Sequence, residues 1–368
     1  MARVVVVGGG VVGTMHAREA VRRGFEVVQL ERDLEPGKAS VRNFGLLWVS
    51  GRASGEELAA ALAAREHWAR VAEEAPGVGL RPVGSLTVAQ QLEELDVLEE
   101  LAAQPDAGER GVELLDPALA RRRNPALRGK LLGALWCRHD AVVEPRQVLG
   151  AVRAALAAGG RYRFLRARTV VEVGQGYARD HLGARHPGDL VLVCAGAAYD
   201  QVAGGHLAAA PVRRCRLQML QTAPYPEPVT TALADGDSLR YYPAFRLPSA
   251  DRLPPAPAIV ADWGMQLLCV QRASGGLTIG DTHAYDEPFD FAVEEAPYDH
   301  LLERAASILG RRLPPVVRRW AGVYPVATDQ RLAYRAQVEP GVVAVTGLGG
   351  RGMTLAPAVA ERTFEELP

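Results

Sequence analysis

The stretch that decides the fold is RVVVVGGGVVGTMHA, residues 3–17. Residues 4–7 are consecutive valines, and such a run is expected of a strand that is buried on both faces of a parallel sheet. Gly8, Gly10 and Gly13 follow with the spacing G-x-G-x-x-G. Glycine is needed where the chain turns tightly, where backbone approaches a pyrophosphate, and where a helix packs closely on a strand. The stretch therefore predicts the opening of a nucleotide-binding unit.

A helix and a second strand are predicted after the glycine turn. Residues 11–23 form the helix, whose N-terminus offers free N–H groups to phosphates. Residues 26–30 form the strand, and Glu31 ends it, 18 residues after Gly13. A carboxylate at this place can accept hydrogen bonds from both ribose hydroxyls. The combination predicts dinucleotide binding rather than a tight turn without a ligand.

The residues beyond the second strand favour FAD over a nicotinamide cofactor. A nicotinamide-dependent dehydrogenase usually continues with further βαβ units at regular spacing. Here the chain enters a loop of small residues, GKASVRNFG at residues 37–45. Further strands of this domain are predicted only at residues 164–173 and 189–194. A nicotinamide-dependent dehydrogenase is kept as an alternative from a different class.

Length and composition fit a two-domain enzyme. The chain has 368 residues, 42 of them basic and 43 acidic, so it lacks the basic footprint of a nucleic-acid-binding protein. Its first apolar run is too short to span a membrane, and no signal-peptide pattern precedes it. The cysteines, Cys137, Cys194, Cys215 and Cys269, form no CxxC pair and have no metal-ligand spacing. We expect a cytoplasmic protein without a metal site, a nucleic-acid partner or a membrane partner.

The predicted fold class is α/β, in a two-domain α+β arrangement: a Rossmann-like FAD-binding domain interleaved with an antiparallel-sheet substrate domain. Short alternating segments predict the antiparallel sheet, and one helix interrupts it. These strands are expected at residues 239–242, 266–271 and 277–279, and the helix at residues 298–309. A last strand and helix are expected at residues 342–346 and 356–367. The expected FAD-binding domain comprises residues 1–80, 142–210 and 320–368, and the substrate domain residues 81–141 and 211–319.

Five blocks spread over most of the chain resemble the D-amino-acid oxidase-like flavoprotein superfamily, which includes glycine oxidase and sarcosine oxidase. They are GGGVVGTMHA, GKASVRNFGLLW, LVLVCAGAAYD, PVRRCRLQML and TGLGGRGMTLAP. Within the superfamily, ASVRNFGLLW and QLLCVQRASGGLTIGDTHAYDEPFD resemble a subfamily associated with aminophosphonate breakdown. The resemblance implies FAD-dependent oxidation of a small primary or secondary amine to an imine, which water hydrolyses. Molecular oxygen would accept the electrons and give hydrogen peroxide.

The resemblance also assigns cofactor-binding residues. The glycine turn and Glu31 would hold the ADP half of FAD, the loop after the second strand would pass under the pyrophosphate and isoalloxazine, and the last glycine block would contact the flavin. The last block has no cysteine and the first loop no histidine, where some relatives tether flavin, so we expect non-covalent FAD. The expected residues are Gly8, Gly10, Val11, Val12, Gly13, Glu31, Arg32, Ser40, Arg42, Asn43, Gly45, Leu46, Val171, Ala195, Gly196, Gly349, Gly350, Arg351, Gly352, Met353 and Thr354.

The substrate side departs from the family pattern at one position. Glycine oxidase-like enzymes clamp the substrate carboxylate with an arginine in the last glycine block, and the aligned residue here is Gly350. We therefore expect a different anion, such as the phosphonate of an aminoalkylphosphonate or its N-methyl form, held by another arginine. Arg319 matches a second family arginine and is the first choice, and Arg42 is the next. A guanidinium pairs equally well with a carboxylate or a phosphonate.

Aromatic and histidine side chains complete the expected substrate site. Tyr241 and Tyr242 fall on a predicted strand, where alternation sends neighbours to opposite faces, so at most one, taken as Tyr242, faces the site. Tyr324 and His283 are further candidates. A metal site at His283 is disfavoured because no third nitrogen or sulfur ligand lies nearby in the sequence.

Several other functions stay compatible with the sequence. The first is a tailoring oxidase of secondary metabolism that acts on a larger amine or an N–N substrate. The second is an ordinary glycine or D-amino-acid oxidase. The third is a flavin-binding subunit without catalysis of its own, although an intact substrate-domain pattern argues against it. The chain could also form an oligomer.

Overall fold

A six-stranded sheet forms the centre of the first domain. The computed structural model describes residues 2–202, 207–329 and 331–367. The sheet is parallel except for its first strand, which pairs antiparallel with the second. Its strands, in spatial order, are Tyr334–Glu339, Val342–Thr346, Leu190–Val193, Arg3–Val7, Glu26–Leu30 and Tyr162–Leu165.

The valine run of the first strand is buried on both faces, as its sequence predicts. Val4 and Val6 belong to the core under the helices, together with residues of the helices Val11–Arg22 and Gly352–Glu365. Val5 and Val7 belong to the core on the opposite face of the sheet. This layering confirms the Rossmann-like unit.

An eight-stranded sheet forms the second domain. Adjacent strands of this sheet are antiparallel, except that the fifth and sixth strands pair in parallel. Its strands, in spatial order, are Val316–Ala327, Val212–Pro224, Gly276–Gly280, Leu268–Gln271, Ala232–Ala234, Ser85–Ala89, Gly133–Cys137 and Val112–Leu115. The two-domain fold class is thereby confirmed.

Smaller sheets and the helices complete the fold. Strands Val170–Gly174, Tyr177–Asp180 and Arg185–Pro187 form one small sheet, and Leu46–Leu47 pairs with Ala141–Val142. No helix of the described ranges is long and apolar enough to cross a membrane. The helices are Val11–Arg22, Glu56–Glu74, Leu92–Ala102, Ala107–Arg110, Pro117–Arg123, Pro145–Ala158, Tyr199–Val202, Ser238–Tyr241, Ala258–Trp263, Glu295–Leu309 and Gly352–Glu365.

Two boundaries differ from the sequence-based expectation. The expected domain boundary at residue 320 falls inside the strand Val316–Ala327, which pairs with Val212–Pro224 from Val212 opposite Ala327 to Thr222 opposite Val316. That strand belongs to the second domain. The strand expected at residues 164–173 is two strands in different sheets, because Ala167, with φ 48°, turns the chain between them.

Residues 239–241 are helical and Tyr242 follows the helix, so the strand expected at residues 239–242 is wrong. Asp235 Oδ1 accepts from the backbone N–H of Asp237, and Ser238 Oγ donates to Leu267 O. An aspartate side chain that bonds nearby backbone favours a turn. This local bond, together with the bond from Ser238 to the distant Leu267, overrides the strand preference of the two tyrosines. The helix Ser238–Tyr241 results.

Candidate functional site

The glycine turn lies at the carboxyl ends of the parallel strands. Gly8 has φ +107°, and a Cβ there would overlap the carbonyl oxygen of Cys194 on the neighbouring strand. A Cβ at Gly13 would overlap the carbonyl oxygen of Gly8. Both glycines are required by close backbone packing. The turn therefore holds the N-terminus of the helix Val11–Arg22 against the strand ends, where α/β sheets bind ligands.

Two adjoining cavities open at this edge of the sheet. The first, of about 670 Å³, is called here the glycine-turn cavity. Nine of the expected cofactor residues line it: Gly8, Gly10, Glu31, Arg32, Ser40, Arg42, Val171, Ala195 and Gly196. The second, of about 390 Å³, is called the tyrosine cavity. Both are lined by Ala39, Ser40, Arg42, Gly196 and Pro325, so they form one continuous space.

Glu31 is held in place by the glycine turn. Its Oε2 accepts a hydrogen bond from the backbone N–H of Gly9 over 2.7 Å, and its Oε1 accepts from the N–H of Asp33 over 2.9 Å. Each carboxylate oxygen has a second lone pair free for a ligand. The carboxylate is buried and lines the glycine-turn cavity, as a ribose-binding residue must.

The loop after the second strand is braced by its own side chains. Ser40 Oγ accepts from the backbone N–H of Val11 over 2.9 Å. Asn43 donates to the carbonyls of Ala39 and Ser40, and its Oδ1 accepts from the N–H of Gly45. These bonds fix the floor shared by the two cavities.

Arg42 is anchored by backbone carbonyls. Its Nε donates to Gly37 O over 2.7 Å and its Nη1 to Ala321 O over 2.8 Å. The side chain lines both cavities. At this position Arg42 is better placed to neutralise a pyrophosphate between the cavities than to clamp a substrate.

The last glycine block forms another wall of the tyrosine cavity. Gly349, Gly350, Arg351, Gly352 and Met353 line it, as do the expected residues Val11, Val12, Asn43 and Leu46. The helix Gly352–Glu365 begins here, four residues earlier than expected, so its N-terminus faces the cavity.

Three expected cofactor residues act behind the walls instead. Gly13 and Gly45 are absent from the linings of both cavities, and a Cβ at Gly45 would overlap the carbonyl oxygen of Val143. Thr354 Oγ1 accepts from the N–H of Trp48 over 3.0 Å, and Thr354 also lines neither cavity. Gly45 and Thr354 position the loop and the wall, and a contact of these residues with FAD stays a prediction.

Aromatic side chains form the wall opposite the glycine block. Tyr241 and Tyr242 both line the tyrosine cavity, with ring centroids 5.1 Å apart and planes at 89°, so the expectation that one faces away is wrong. Helical geometry places neighbours 100° apart rather than on opposite faces. Tyr324 lines the same cavity, and the position of a Gly350 Cβ lies 3.5 Å from its hydroxyl. Burial raises the pKa of Tyr242 and of Tyr324, so both keep their protons.

His283 and Asp281 lie side by side in this wall. His283 stacks on Tyr241 with centroids 4.3 Å apart, and its Nε2 lies 3.8 Å from Asp281 Oδ2. Gln266 Nε2 donates to Asp281 Oδ1 and to the Tyr242 hydroxyl. Burial raises the pKa of Asp281. Sequence reasoning did not assign Asp281 to the substrate site, and no metal-binding cluster occurs in the described part of the chain.

Guanidinium groups also line the tyrosine cavity. Arg52 Nη1 and Arg351 Nη1 lie 3.5 and 3.3 Å from the same oxygen, Glu57 Oε1. Arg246 is exposed at the rim and forms no ion pair with the described residues. Two guanidinium groups therefore share one carboxylate, and a third has none.

Arg319, the first choice as anion clamp, lies outside both cavities. Its Nη2 is 3.0 Å from Glu295 Oε2, and its guanidinium lies over the ring of Tyr298. Successive side chains of a strand alternate between faces, so Arg319 points away from the side of Val316–Ala327 that carries Tyr324. The structure thus separates Arg319 from Tyr242, Tyr324 and His283, which it brings together.

The family follows from a comparison with known proteins. The family model described as FAD dependent oxidoreductase (DAO) matches residues 3–366. The chain belongs to this family and is an FAD-dependent oxidoreductase, so the choice of FAD over nicotinamide is confirmed. A protein named as one of the subunits of opine oxidase, from Rhizobium meliloti, is 25% identical over 232 residues, which are 60% of this chain and 62% of that protein. The match thus spans about three fifths of the length of this relative.

Solved structures show the same fold over the whole chain. Glycine oxidase from Bacillus cereus is 18% identical, with a TM-score of 0.79 over 98% of this chain and 93% of that one. Iminodiacetate oxidase from Chelativorans sp. is 20% identical, with a TM-score of 0.78 over 100% and 97% of the two chains. These likenesses show the fold alone.

The two cavities fit FAD. Gly10, at the N-terminus of the first helix, has no side chain to fill the glycine-turn cavity, and this is where a pyrophosphate binds a helix N-terminus. Thr346 Oγ1 is buried in the tyrosine-cavity wall and has no hydrogen-bond partner among the described residues. A buried polar atom is normally paired, so this hydroxyl is available to a bound cofactor.

Proposed function

We propose that the protein oxidises a small primary or secondary amine at the carbon that bears the nitrogen. FAD, when bound, supplies the hydride acceptor, and oxygen restores it with formation of hydrogen peroxide. The resulting imine is hydrolysed to a carbonyl product. Two of the compared proteins are named as oxidases of glycine and iminodiacetate, and both of these compounds are small amines.

FAD binding divides between the two cavities in this proposal. The glycine-turn cavity takes the ADP half, with Glu31 accepting the ribose hydroxyls and Arg42 facing the pyrophosphate. The glycine block at residues 349–353 and the loop at residues 39–46 enclose the flavin. Non-covalent binding stays our prediction, because the glycine block at residues 346–357 has no cysteine and the loop at residues 37–45 has no histidine.

The observation that carries the substrate proposal is the pattern of charge in the tyrosine cavity. Arg52, Arg246 and Arg351 line it, and Glu57 balances only part of their charge. Guanidinium groups that are short of carboxylate partners bind an anion. We propose that they hold the anionic end of the substrate, with Arg246 as the group that contacts it at the rim.

We further propose that this anion is a phosphonate. Gly350 leaves the space in front of the Tyr324 hydroxyl without a side chain, so the carboxylate clamp expected of glycine oxidase-like enzymes is missing there. A larger tetrahedral anion fits a cavity in which Arg52 is buried and Arg246 is exposed at the rim. An aminoalkylphosphonate or its N-methyl derivative combines this anion with an oxidisable amine.

The test is a spectrum of the purified protein followed by anaerobic addition of amines. Oxidised flavin absorbs at about 450 nm, and this absorbance belongs to the cofactor rather than to the protein. The amines are 2-aminoethylphosphonate, its N-methyl form, glycine, sarcosine and D-alanine. Bleaching by the phosphonates alone supports the full proposal, and strongest bleaching by glycine or D-alanine replaces the phosphonate with an ordinary amino acid. If the bound FAD is bleached by none of them, amine oxidation by this chain alone is overturned.

A second candidate function is a component of a larger oxidase, as the name of the opine oxidase relative suggests. In that case flavin bleaching requires a partner chain. Gel filtration of the protein with and without a co-expressed neighbouring gene product, followed by the same titration, separates the two functions.

A further inference from the structure

The hydrogen bond of His283 to the backbone fixes which ring nitrogen carries the proton. Nδ1 lies 2.7 Å from the carbonyl oxygen of Gly264. A carbonyl oxygen can only accept a hydrogen bond, so Nδ1 must donate. In the neutral ring the lone pair is therefore on Nε2.

That lone pair faces another acceptor. Nε2 of His283 lies 3.8 Å from Oδ2 of Asp281. The two side chains are only 3% and 6% exposed, and both line the tyrosine cavity. Both of these buried atoms are hydrogen-bond acceptors, so no hydrogen bond can form between them without an added hydrogen. The pair is complete only when a proton or a donor group is added.

Neighbouring residues hold the pair in this arrangement. The ring of Tyr241 stacks on His283 with an interplanar angle of 23°, which fixes the plane of the imidazole. Gln266 Nε2 donates to Asp281 Oδ1 over 3.1 Å, which fixes the carboxylate and leaves Oδ2 on the side of His283. An ammonium nitrogen can lie about 2.9 Å from both acceptors, because its N–H bonds diverge.

We infer that Asp281 and His283 form a proton-accepting pair that converts the bound substrate from an ammonium ion into a neutral amine. This inference rests on the proposed function. The substrate N–H bond breaks, a new N–H bond forms at His283 Nε2, and the bonding electron pair stays on the substrate nitrogen. Asp281 then pairs with the imidazolium. Only a proton moves, so the step needs no oxidant or co-reactant.

The surroundings of the pair favour proton uptake. Burial raises the pKa of the Asp281 carboxyl, and the charge of His283 acts in the opposite direction. A neutral amine is also the form whose carbon can release a hydride, because its nitrogen lone pair stabilises the developing imine. The titratable groups that face the pair are Tyr241, Tyr242, Tyr285, Tyr324 and Cys215. Burial raises the pKa of the four tyrosines and of Cys215, so these groups stay neutral over the range tested.

The test measures the rate of anaerobic flavin bleaching by the best amine between pH 6 and 10 in FAD-loaded protein. Asp281→Asn keeps the acceptor for Gln266 but removes the charge. His283→Asn keeps a donor near Gly264 O but removes Nε2. Asp286→Asn, an exposed aspartate in the same segment and outside both cavities, is the matched control.

We expect both pair variants to bleach roughly 100-fold more slowly at neutral pH, a usual contribution of a proton-transfer group. The deficit should shrink towards pH 10, where about half of an amine of pKa about 10 arrives already neutral. The control should follow the unmodified protein at every pH. If the pair variants bleach more slowly by the same factor at all pH values, or are not slower at all, the inference is overturned. Amine oxidation by the unmodified protein is not affected by that outcome.

A second readout does not depend on turnover. Carbon-13 NMR of the Asp281 carboxyl, assigned with Asp281→Asn, is recorded against pH in FAD-loaded protein. His283→Asn removes the group whose charge lowers the pKa of Asp281, so the titration midpoint of the carboxyl should rise. An unchanged midpoint overturns the pairing. If the Asp281 midpoint rises but no amine bleaches the flavin, the proposed function has failed. The interaction between Asp281 and His283 then still stands.

Discussion

Ser50 Oγ donates a hydrogen bond to Asp140 Oδ2 over 2.7 Å, and this buried carboxylate joins the two domains. The backbone N–H of Ser50 donates to its Oδ1, and Ser85 Oγ donates to its Oδ2 over 2.6 Å. Ser50 follows the loop at the flavin side, whereas Ser85 begins a strand of the eight-stranded sheet. Asp140 thus ties the wall of the tyrosine cavity to the substrate domain.

Replacing Asp140 should therefore destabilise the whole protein. Asp140→Ala leaves two hydroxyls and at least one amide without their acceptor, and each buried unpaired group costs about 1–3 kcal/mol. We expect the unfolding free energy to fall by roughly 3 kcal/mol or more, measured by urea denaturation. Asp140→Asn, which keeps an acceptor oxygen, should lose less. Equal stability of the alanine variant and the unmodified protein would contradict the role of Asp140.

Two helical glycines should respond in opposite ways to alanine. Gly13→Ala places a Cβ against the carbonyl oxygen of Gly8, so the glycine turn must shift and FAD content should drop strongly. Gly150 is exposed in the helix Pro145–Ala158, and a Cβ there meets nothing within 4 Å. Gly150→Ala should raise the unfolding free energy by up to about 1 kcal/mol. Bound FAD by absorbance and thermal unfolding measure both effects; retention of full FAD by Gly13→Ala would refute the packing argument.

His16 should make the protein acid-sensitive. Burial lowers its pKa from 6.5 to about 4 in the folded state, so below pH 6.5 the unfolded chain binds a proton that the folded chain does not. Stability that is fully present above pH 6.5 is then lost as the pH falls towards 4, by roughly 3 kcal/mol in total.

The comparison with His16→Gln tests this linkage. Glutamine can still face Thr363, which lies 3.0 Å from His16 Nε2, but it does not titrate. Unfolding free energies measured between pH 7 and 4 should fall more steeply in the unmodified protein. Parallel pH profiles of the two proteins would rule the His16 contribution out.

Arg246 and Arg319 should differ in their effect on substrate binding. Arg246 lines the tyrosine cavity without a carboxylate partner among the described residues, whereas Arg319 is paired with Glu295 outside it. Arg246→Ala should raise KM about tenfold or more for an anionic amine, with a smaller change in kcat, because it removes binding of the anion. Arg319→Ala should leave both constants near their original values. Steady-state peroxide assays measure both, and the reverse ranking would restore Arg319 as the clamp.

The cysteines should be unreactive in the folded protein. Cys137, Cys194, Cys215 and Cys269 are free and buried, and burial raises the pKa of each thiol, to about 11 for Cys215 and about 12 for Cys194 and Cys269. Since the thiolate is the reactive form, a thiol reagent at pH 8 should label them only after denaturation. Rapid labelling of the native protein would show that one of them is accessible.

Much of the first domain could be predicted from local sequence. The valine run and the glycine turn are local signals, and the structure has the strand Arg3–Val7 and the helix Val11–Arg22 where residues 4–7 and 11–23 predict them. Residues 239–242 could not be assigned in this way, because polar neighbours at Asp235 and Ser238 decide a short segment against its own strand preference.

The substrate site depends on contacts between distant segments. Arg319 fits a family position, yet which face it occupies depends on the register of a long strand, and that register is set by pairing with Val212–Pro224. Asp281 becomes notable only because Gln266 and His283 lie beside it in three dimensions. A sequence shows that an aspartate and a histidine are two residues apart, but not that two lone pairs face each other in a cavity wall.

The walls of the two cavities include residues from Val7 to Met353. During synthesis on the ribosome, the glycine turn emerges well before the block at residues 349–353. The nascent chain can present the phosphate-binding turn but cannot enclose the isoalloxazine ring. FAD can therefore be enclosed only after residue 353 has been synthesised, and a product that terminates before the helix Gly352–Glu365 should be made colourless.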